Sequence, residues 1–561
     1  MSHPQLRPIA DALQRGSALL TAPGAPFEVH EEDVLGERMQ VFVHRPRSLR
    51  EVLAASAEHG DRECFVFDDG ERISFTELVR DVASITAALR DRHGIGAGDR
   101  VAISAPNGPA WLLTFWAVTS MDAVVVAMNG WWTAHEMRHA LELTEPALLL
   151  IDGKRLERLG EDPGVPVIDV ETGFDALRRY DAAAALPDTP IAEDDAAMLL
   201  FTSGTTGRPK AAVLTHRTII AFVMSQAVIG ARGMLLAGRN APTGPPGARL
   251  AVFPLFHVSG MGTNVSGVMN GATTVWPLGR FDAGRVIQLA KEHGIGVLGG
   301  TSTHVLRLLD HPDLDTLDPL SIQSVGIGGS ASTPELIRRT EERFPHLEGT
   351  FSTGYGSTES GGLISWAPNS MISIVPECVG PALPTIDVKI VDDDDTEVPD
   401  GVEGNICARS PLVMREYWRH PDANAETFLP GRWLKTGDFG RLEEGVLFIA
   451  SRTRDLIIRG GENIYPFEIE NRLEEHPDVD ETAVFGVDHQ QLGQEVKAVV
   501  VVTAGSALTV DDIRAFCAQT LSSYKVPAHV ELRRDALPRN ATGKIMKHVL
   551  AGEAENTFVE E

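Results

Sequence analysis

Cysteine is scarce in this chain: only Cys64, Cys378, Cys407 and Cys517 occur, with no C-x-x-C pair and no regular spacing. That excludes a disulfide framework and a cysteine zinc site, and it points to a reducing compartment. Positive charge is also short. The 50 Lys and Arg stand against 78 Asp and Glu, a formal net charge of −28. A broad nucleic-acid or anionic-membrane surface, which wants a basic excess, is thereby excluded. Long apolar runs are missing as well. The N-terminus, Met1-Ser2-His3-Pro4, opens no continuous apolar signal core. The most apolar stretch, 111–132, is interrupted by Thr114, Thr119, Ser120, Asp122 and Asn129 and reads as a helix followed by a buried strand over 123–128. Val559-Glu560-Glu561 matches no peroxisomal address. A cytoplasmic protein without integral membrane association is expected.

What is present is ample core material: 561 residues, 43% of them hydrophobic, enough for two to four domains. Residues 47–150 alternate helical periods with short apolar runs, and the alternation continues through 250–253, 283–293, 296–298 and 324–327. This predicts α/β layers around a substantially parallel sheet. Residues 231–248, rich in Gly, Pro, Ala and Arg, read as a surface loop. Leu298-Gly299-Gly300-Thr301-Ser302 reads as a turn between two strands. Over 380–450 short strands separated by Asp/Gly/Pro turns predict a β-rich subdomain. A boundary is expected at 453/454, giving a large N-terminal domain, 1–453, and a small α+β domain, 454–561.

The most informative segment is Thr202-Ser203-Gly204-Thr205-Thr206-Gly207-Arg208-Pro209-Lys210, which follows the apolar run 197–201. Glycines let backbone N–H groups approach phosphate oxygens, hydroxyls add neutral donors, and Arg208 and Lys210 add charge. The spacing is not that of a Walker A loop. In an acidic protein, cations gathered at one loop suit a nucleotide polyanion better than a diffuse basic face does.

Six further segments follow in order: 253–260 (FPLFHVSG), Gly328-Gly329-Ser330, Thr353-Gly354-Tyr355-Gly356-Ser357-Thr358-Glu359, Thr436-Gly437-Asp438, Ser451 to Pro466, and Pro538 to Lys544. With the phosphate loop, this ordered set closely resembles the adenylate-forming superfamily: acyl-CoA synthetases, peptide-synthetase adenylation domains and beetle luciferases. The resemblance covers about residues 47–550. It implies ATP and CoA as co-substrates, Mg²⁺ as cofactor, and a small-molecule carboxylate that attacks the α-phosphorus of ATP as pyrophosphate leaves. Two anions must meet, so positioning and charge neutralisation carry most of the catalysis. A hard cation prefers carboxylate oxygen, and Glu359 is its natural ligand, with Thr205 beside it in the phosphate loop.

By the same resemblance Thr358 hydrogen-bonds the α-phosphate. Tyr355 stacks on adenine, with Gly354, Gly356 and Ser357 beside it as nucleotide-binding residues, and the Gly328-Gly329-Ser330 backbone meets the adenine edge. Asp438 takes the ribose hydroxyls with Arg452 as a second contact. Lys544 neutralises charge between carboxylate and α-phosphate. The small domain then rotates about Arg454, where many relatives carry Asp or Lys. Gly460, Gly461 and Glu462 lie in a segment of the CoA-ligase form, where paired glycines pass a pantetheine arm. His257 shapes the mouth of a carboxylate pocket formed with Val258, Met261, Gly262, Ser302 and Gly356. The apolar Val258 disfavours amino acids, whose ammonium would be uncompensated. Gly356, where acetate-specific relatives carry Trp, with Gly260, Gly262 and Gly361-Gly362, is read as room for a larger acyl group. Ser302 stands where many relatives have Pro. An acyl-AMP ligase feeding a carrier protein, a luciferase-type enzyme and a non-catalytic nucleotide sensor are the alternatives. A homodimer is one assembly compatible with this reading.

Overall fold

The computed structural model describes residues 3–160, 162–202, 209–239, 244, 246–328, 334–347, 350–452, 455, 457–459, 462–489, 491–540 and 545–552. The runs Arg100–Ser104, Val124–Ala127 and Leu148–Ile151 are almost wholly buried. Strands apolar on both faces belong in a sheet covered on both sides. They form the centre of a six-stranded sheet, spatial order 210–215, 196–202, 124–127, 100–104, 148–151, 167–169. Every pairing in it is parallel except that of 196–202 with 210–215. The crossover helix Pro109–Ser120 is buried all round, as a helix apolar on every face must be. Helix Phe75–His93 is fixed at both ends, by a Ser74/Glu77 capping box and by Gly94 in the left-handed conformation.

A second sheet joins 249–250, 274–276, 63–67 and 72–74, and a parallel pair joins Val297–Gly300 to Ser324–Ile327. The predicted β-rich stretch is an antiparallel sheet of 378–381, 446–452, 433–443, 403–409 and 387–391. At the C-terminal end a five-stranded sheet carries helices Pro466–Glu474 and Val510–Ala518 and has its own core, with Ile457, Ile469, Leu473, Val484 and Ile513 fully buried.

Two local expectations are corrected. Helix His216–Leu236 runs through 231–236, where a loop was expected: its Gly230 and Gly233 do not break it, because it packs along helices Arg7–Thr21 and Val258–Met269. Residues 298–302 are the end of a strand and the start of helix Ser302–Leu309, not a turn. Thr301 is the N-cap, its side chain accepting from His304 N–H. Among the described residues, helix His216–Leu236 is the one long and apolar enough to cross a membrane, and half of it is buried inside the protein.

Candidate active site

The phosphate loop is a hairpin connection. Thr202 and Lys210 face each other in register at the open end of strands Ala196–Thr202 and Lys210–Thr215. Ser203, Gly204, Thr205, Thr206, Gly207 and Arg208, between them, lie outside the described residues. Residues 415–418 run beside the second strand, Val213 N–H donating to the Glu416 carbonyl at 2.9 Å and Trp418 N–H to that of Ala211 at 2.8 Å. This brings Tyr417 under the loop's base, with the Lys210 ammonium 5.2 Å from its ring centroid. The buried Tyr417 hydroxyl donates to Glu359 Oε1 at 2.8 Å and also engages the Thr202 side chain. Burial first, then the Glu359 carboxylate, push the phenol well above its ordinary pKa, so it remains a donor.

Glu359 sits on a tightly wound turn. Gly361 N–H donates to the Thr358 carbonyl at 3.0 Å, Gly362 N–H to that of Ser357 at 2.7 Å, and Met414 N–H to the Glu359 carbonyl at 2.8 Å. No cationic side chain pairs with Glu359 among the described residues. An un-neutralised carboxylate with one oxygen pinned by a phenol suits a hard divalent cation that keeps its waters and completes its shell with phosphate oxygens. Among the described residues no group of three or more His, Cys, Asp or Glu side chains forms a metal cage, so Glu359 would hold Mg²⁺ only together with a phosphate ligand.

A second cluster stands nearby on strand Ser352–Tyr355. The Tyr355 hydroxyl donates to Asp438 Oδ2 at 2.7 Å. Asp438 N–H donates to Thr436 Oγ1 at 3.2 Å, and Thr436 Oγ1 to the Ile406 carbonyl at 2.9 Å. Asp438 and Arg452 are directly paired across neighbouring strands, so the two residues assigned to ribose belong to one ladder. Gly328 follows strand Ser324–Ile327, its N–H donating to the Gly300 carbonyl at 3.0 Å. Ser302 begins the helix after the partner strand, so both lie at carboxyl ends of parallel strands, where α/β sheets bind ligands. Gly329 and Ser330 lie outside the described residues.

His257 is the residue before helix Val258–Met269, and its ring makes an edge contact with Phe256 at 6.5 Å. Val258 and Met261 are buried behind it. The glycines here have a different purpose from the one expected. A Cβ on Gly356 would lie 2.6 Å from the Leu363 nitrogen, and one on Gly262 would lie 2.3 Å from the Phe222 ring. These positions are glycine because backbone or an aromatic ring packs against them. Close packing by itself accounts for their lack of side chain.

At the C-terminal end, Arg539 bridges to Ile545 across the segment that carries Lys544, and Arg539 Nη2 donates to Glu481 Oε1 at 3.1 Å. Lys544 itself, the hinge residue Arg454, and Gly460 and Gly461 lie outside the described residues, as do the side chains of Glu462 and Arg452. Tyr465 O–H donates to Glu403 Oε2 at 2.7 Å and stacks on Phe439, which ties the start of this region to the β-rich sheet. Tyr417 is the site residue that sequence reasoning missed. Its one signal is a lone Tyr-Trp pair in a polar stretch, with no spacing that points to Glu359.

A Gly/Ser/Thr segment joining two antiparallel strands, a carboxylate with no cationic partner among the described residues and a tyrosine–aspartate hydrogen bond define a nucleotide-handling α/β enzyme. The model of the AMP-binding enzyme family matches residues 52–418, and that of the AMP-binding enzyme C-terminal domain matches 468–544. The chain belongs to this family, and the expected fold class, mixed α/β with a large N-terminal and a small C-terminal domain, holds. The feruloyl-CoA synthase of an Amycolatopsis species is 33% identical over 497 residues, covering 87% of this chain and 94% of that protein. The fatty acid–[acyl-carrier-protein] ligase ScoC of Streptomyces coeruleorubidus is 31% identical over 526 residues, covering 91% and 97%. ATP-bound MatB from Rhodopseudomonas palustris superposes with a TM-score of 0.77 at 27% identity, over 89% of this chain and 98% of MatB.

Proposed function

We propose that this protein is an ATP-dependent carboxylic acid–CoA ligase. A carboxylate oxygen attacks the α-phosphorus of ATP, the bond to the β-phosphate oxygen breaks, and pyrophosphate leaves an acyl-AMP. The CoA thiol, losing its proton, then attacks the acyl carbon and AMP departs. The observation that carries the reading is the convergence of Thr202, Lys210, Tyr417 and Glu359 at one end of the hairpin. Mg²⁺ bound there would supply charge neutralisation at the phosphates. The chain's own residues do the rest: Tyr417 holds the Glu359 carboxylate, Thr358 meets the α-phosphate, Tyr355 and Asp438 seat the nucleoside, and Lys544 neutralises the reacting oxygens. Residues 454–561 form the mobile domain, which closes for adenylation and turns about Arg454 to bring Gly460, Gly461 and Glu462 to the thiol. The setting is the cytoplasm.

Medium- or long-chain and bulky acids are the favoured substrates, over acetate and amino acids. The buried, apolar surroundings of Val258, against Phe222 and Gly362, offer nothing to an ammonium group. The aryl and fatty acids in the names of the two relatives support the larger classes. The carrier-protein ligase among those relatives favours one second reading, an acyl-AMP ligase loading a separate carrier protein.

The test is AMP and pyrophosphate formation over a panel of acids from acetate to long-chain, aryl and alicyclic, with and without CoA. CoA-dependent turnover to a thioester is expected. Pyrophosphate release indifferent to CoA would transfer the assignment to the carrier-protein reading. Lys544→Ala should cut adenylation about 10²–10³-fold and leave CoA affinity nearly intact. Unchanged pyrophosphate release would remove the role given to Lys544.

A further inference from the structure

Phe222 lies on helix His216–Leu236, which begins directly after the phosphate-loop strand Lys210–Thr215 with Thr215 as its N-cap. The residue is 5% exposed, and the two edges of its ring face two different parts of the candidate site. A Cβ added to Gly262 would lie 2.3 Å from Cε1 and 3.1 Å from Cδ1; one added to Gly362 would lie 2.8 Å from Cε2 and 3.1 Å from Cδ2. Gly262 belongs to helix Val258–Met269, which opens at His257. Gly362 closes the turn that carries Thr358 and Glu359, its N–H donating to the Ser357 carbonyl at 2.7 Å. It has φ 102°, a backbone that favours glycine, and a Cβ there would also lie 3.0 Å from Val258 Cγ2. One ring thus meets the helix and the turn on opposite edges, and neither contact has room for a methyl group.

A ring wedged edge-on is a rigid spacer. Packed interiors have few voids and low compressibility, so the separation of helix and turn is set by the width of the ring. Under the ligase reading above, that separation matters to the chemistry. His257 and helix Val258–Met269 hold the acid, and the turn holds the α-phosphate through Thr358 and the metal through Glu359. In-line attack needs the reacting atoms about 3–3.5 Å apart, and a misplacement of about 1 Å costs about 10²-fold in rate. The phosphate loop is referenced to the same ring, because helix His216–Leu236 continues from the loop's second strand. Phe222 touches neither substrate nor metal in this reading; it acts through the segments it separates.

Resting on that reading, we propose that Phe222 is a positioning residue for adenylation, a buried spacer that sets the distance between the acid-binding helix and the turn bearing Thr358 and Glu359. The test is steady-state pyrophosphate release by the full chain, with decanoate, palmitate, benzoate and cinnamate as probe acids, alongside thermal unfolding. Phe222→Leu narrows the spacer and should lower kcat about 10–100-fold, with the KM for ATP within about threefold of wild type. Phe344→Leu makes the same change at a buried ring in a separate core cluster, and should leave kcat within about twofold at a comparable loss of Tm. Gly262→Ala drives a methyl into the ring and should lower kcat by a factor similar to that of Phe222→Leu. The double variant Phe222→Leu/Gly262→Ala restores the volume that each single change disturbs. It should recover kcat to within about threefold of wild type, a coupling that independent core defects do not show. Should Phe222→Leu fail to fold, Gly262→Ala and the double variant carry the comparison. Equal kcat losses in Phe222→Leu and Phe344→Leu, or a double variant whose loss is the product of the two single losses, overturn the proposal. A wild type that releases no pyrophosphate with any of these acids overturns the ligase reading instead, and the spacer role with it.

Discussion

Two tyrosine–carboxylate hydrogen bonds of nearly equal length, Tyr417–Glu359 at 2.8 Å and Tyr355–Asp438 at 2.7 Å, lie in different surroundings. Tyr417 is buried between the hairpin base and the 415–418 segment, with Lys210 over its ring. Tyr355 is half-buried and flanked by the exposed Gly354 and Gly356, and Asp438 follows the exposed Gly437. Removing the Glu359 carboxylate leaves the buried Tyr417 phenol short of an acceptor that water does not readily replace, whereas Glu359 itself is half-buried and can take water, so the bond fixes the geometry of the phenol side. In the more open pair, a ligand hydroxyl can replace the phenol at small net cost, and under the proposed function that bond keeps the place of a ribose hydroxyl. The same chemistry thus makes a scaffold in one place and a seat in the other.

Breaking the buried pair at its carboxylate should have the largest effect. Glu359→Gln is expected to lower kcat/KM for pyrophosphate release about 10²–10³-fold, while ATP binding in the absence of magnesium changes little. An unchanged magnesium dependence would remove Glu359 from the metal. Asp438→Ala should raise the KM for ATP about tenfold with kcat nearly preserved, the signature of uniform binding lost; an equal fall in kcat would contradict a ribose seat.

Tyr417→Phe and Tyr355→Phe, measured side by side, sharpen the contrast directly. The first should raise the magnesium concentration for half-maximal rate and destabilise the protein by about 0.5–1.5 kcal/mol, the net loss of one hydrogen bond. The second should leave stability unchanged and shift the KM for ATP within about threefold. Equal behaviour of the two variants would dissolve the distinction between scaffold and seat.

The smallest effect at neutral pH, and the one that reaches the whole fold, is acid sensitivity. His216 is buried and its Nδ1 accepts from Leu49 N–H at 3.1 Å; burial, with Arg50 nearby, lowers its pKa to about 3. For Glu32, burial alone would raise the pKa, but the Arg45 and His30 hydrogen bonds prevail and lower it to about 2. Both folded values are depressed, so each group's contribution is complete above its unfolded pKa and is lost on acidification, from 6.5 towards 3 for His216 and from 4.5 towards 2 for Glu32. The Tm should therefore fall steadily as pH is lowered from about 6.5 to 4, and His216→Asn should flatten the upper part of that fall. A Tm independent of pH across this range would show that these groups do not couple to folding.

Much of the fold was legible because its signals are local. Apolar runs such as 100–104 and 123–128 cannot be anything but buried strands in a protein with no membrane-length segment there, and helix 75–93 carries its caps in sequence. The end of helix His216–Leu236 was not legible, because tertiary packing against the N-terminal helix overrode a Gly- and Arg-rich composition. Glycine proved ambiguous for a related reason. Sequence shows that Gly356 and Gly262 lack side chains, but only the neighbouring backbone and the Phe222 ring show why.

The sequence by itself determined the ordered segments that define the AMP-binding enzyme family, the strand that leads into the phosphate loop, and the chemical types gathered for nucleotide binding. These depend on residue identity and spacing along the chain. Only the tertiary structure decided that Tyr417 pins Glu359, that Tyr355 meets Asp438, and that Arg217 has its carboxylates while Arg232 has none among the described residues. Those partners are 58 and 83 residues apart in the two tyrosine pairs, and no local periodicity carries such a distance. The strength of each contact is set by burial, which the folded chain alone confers.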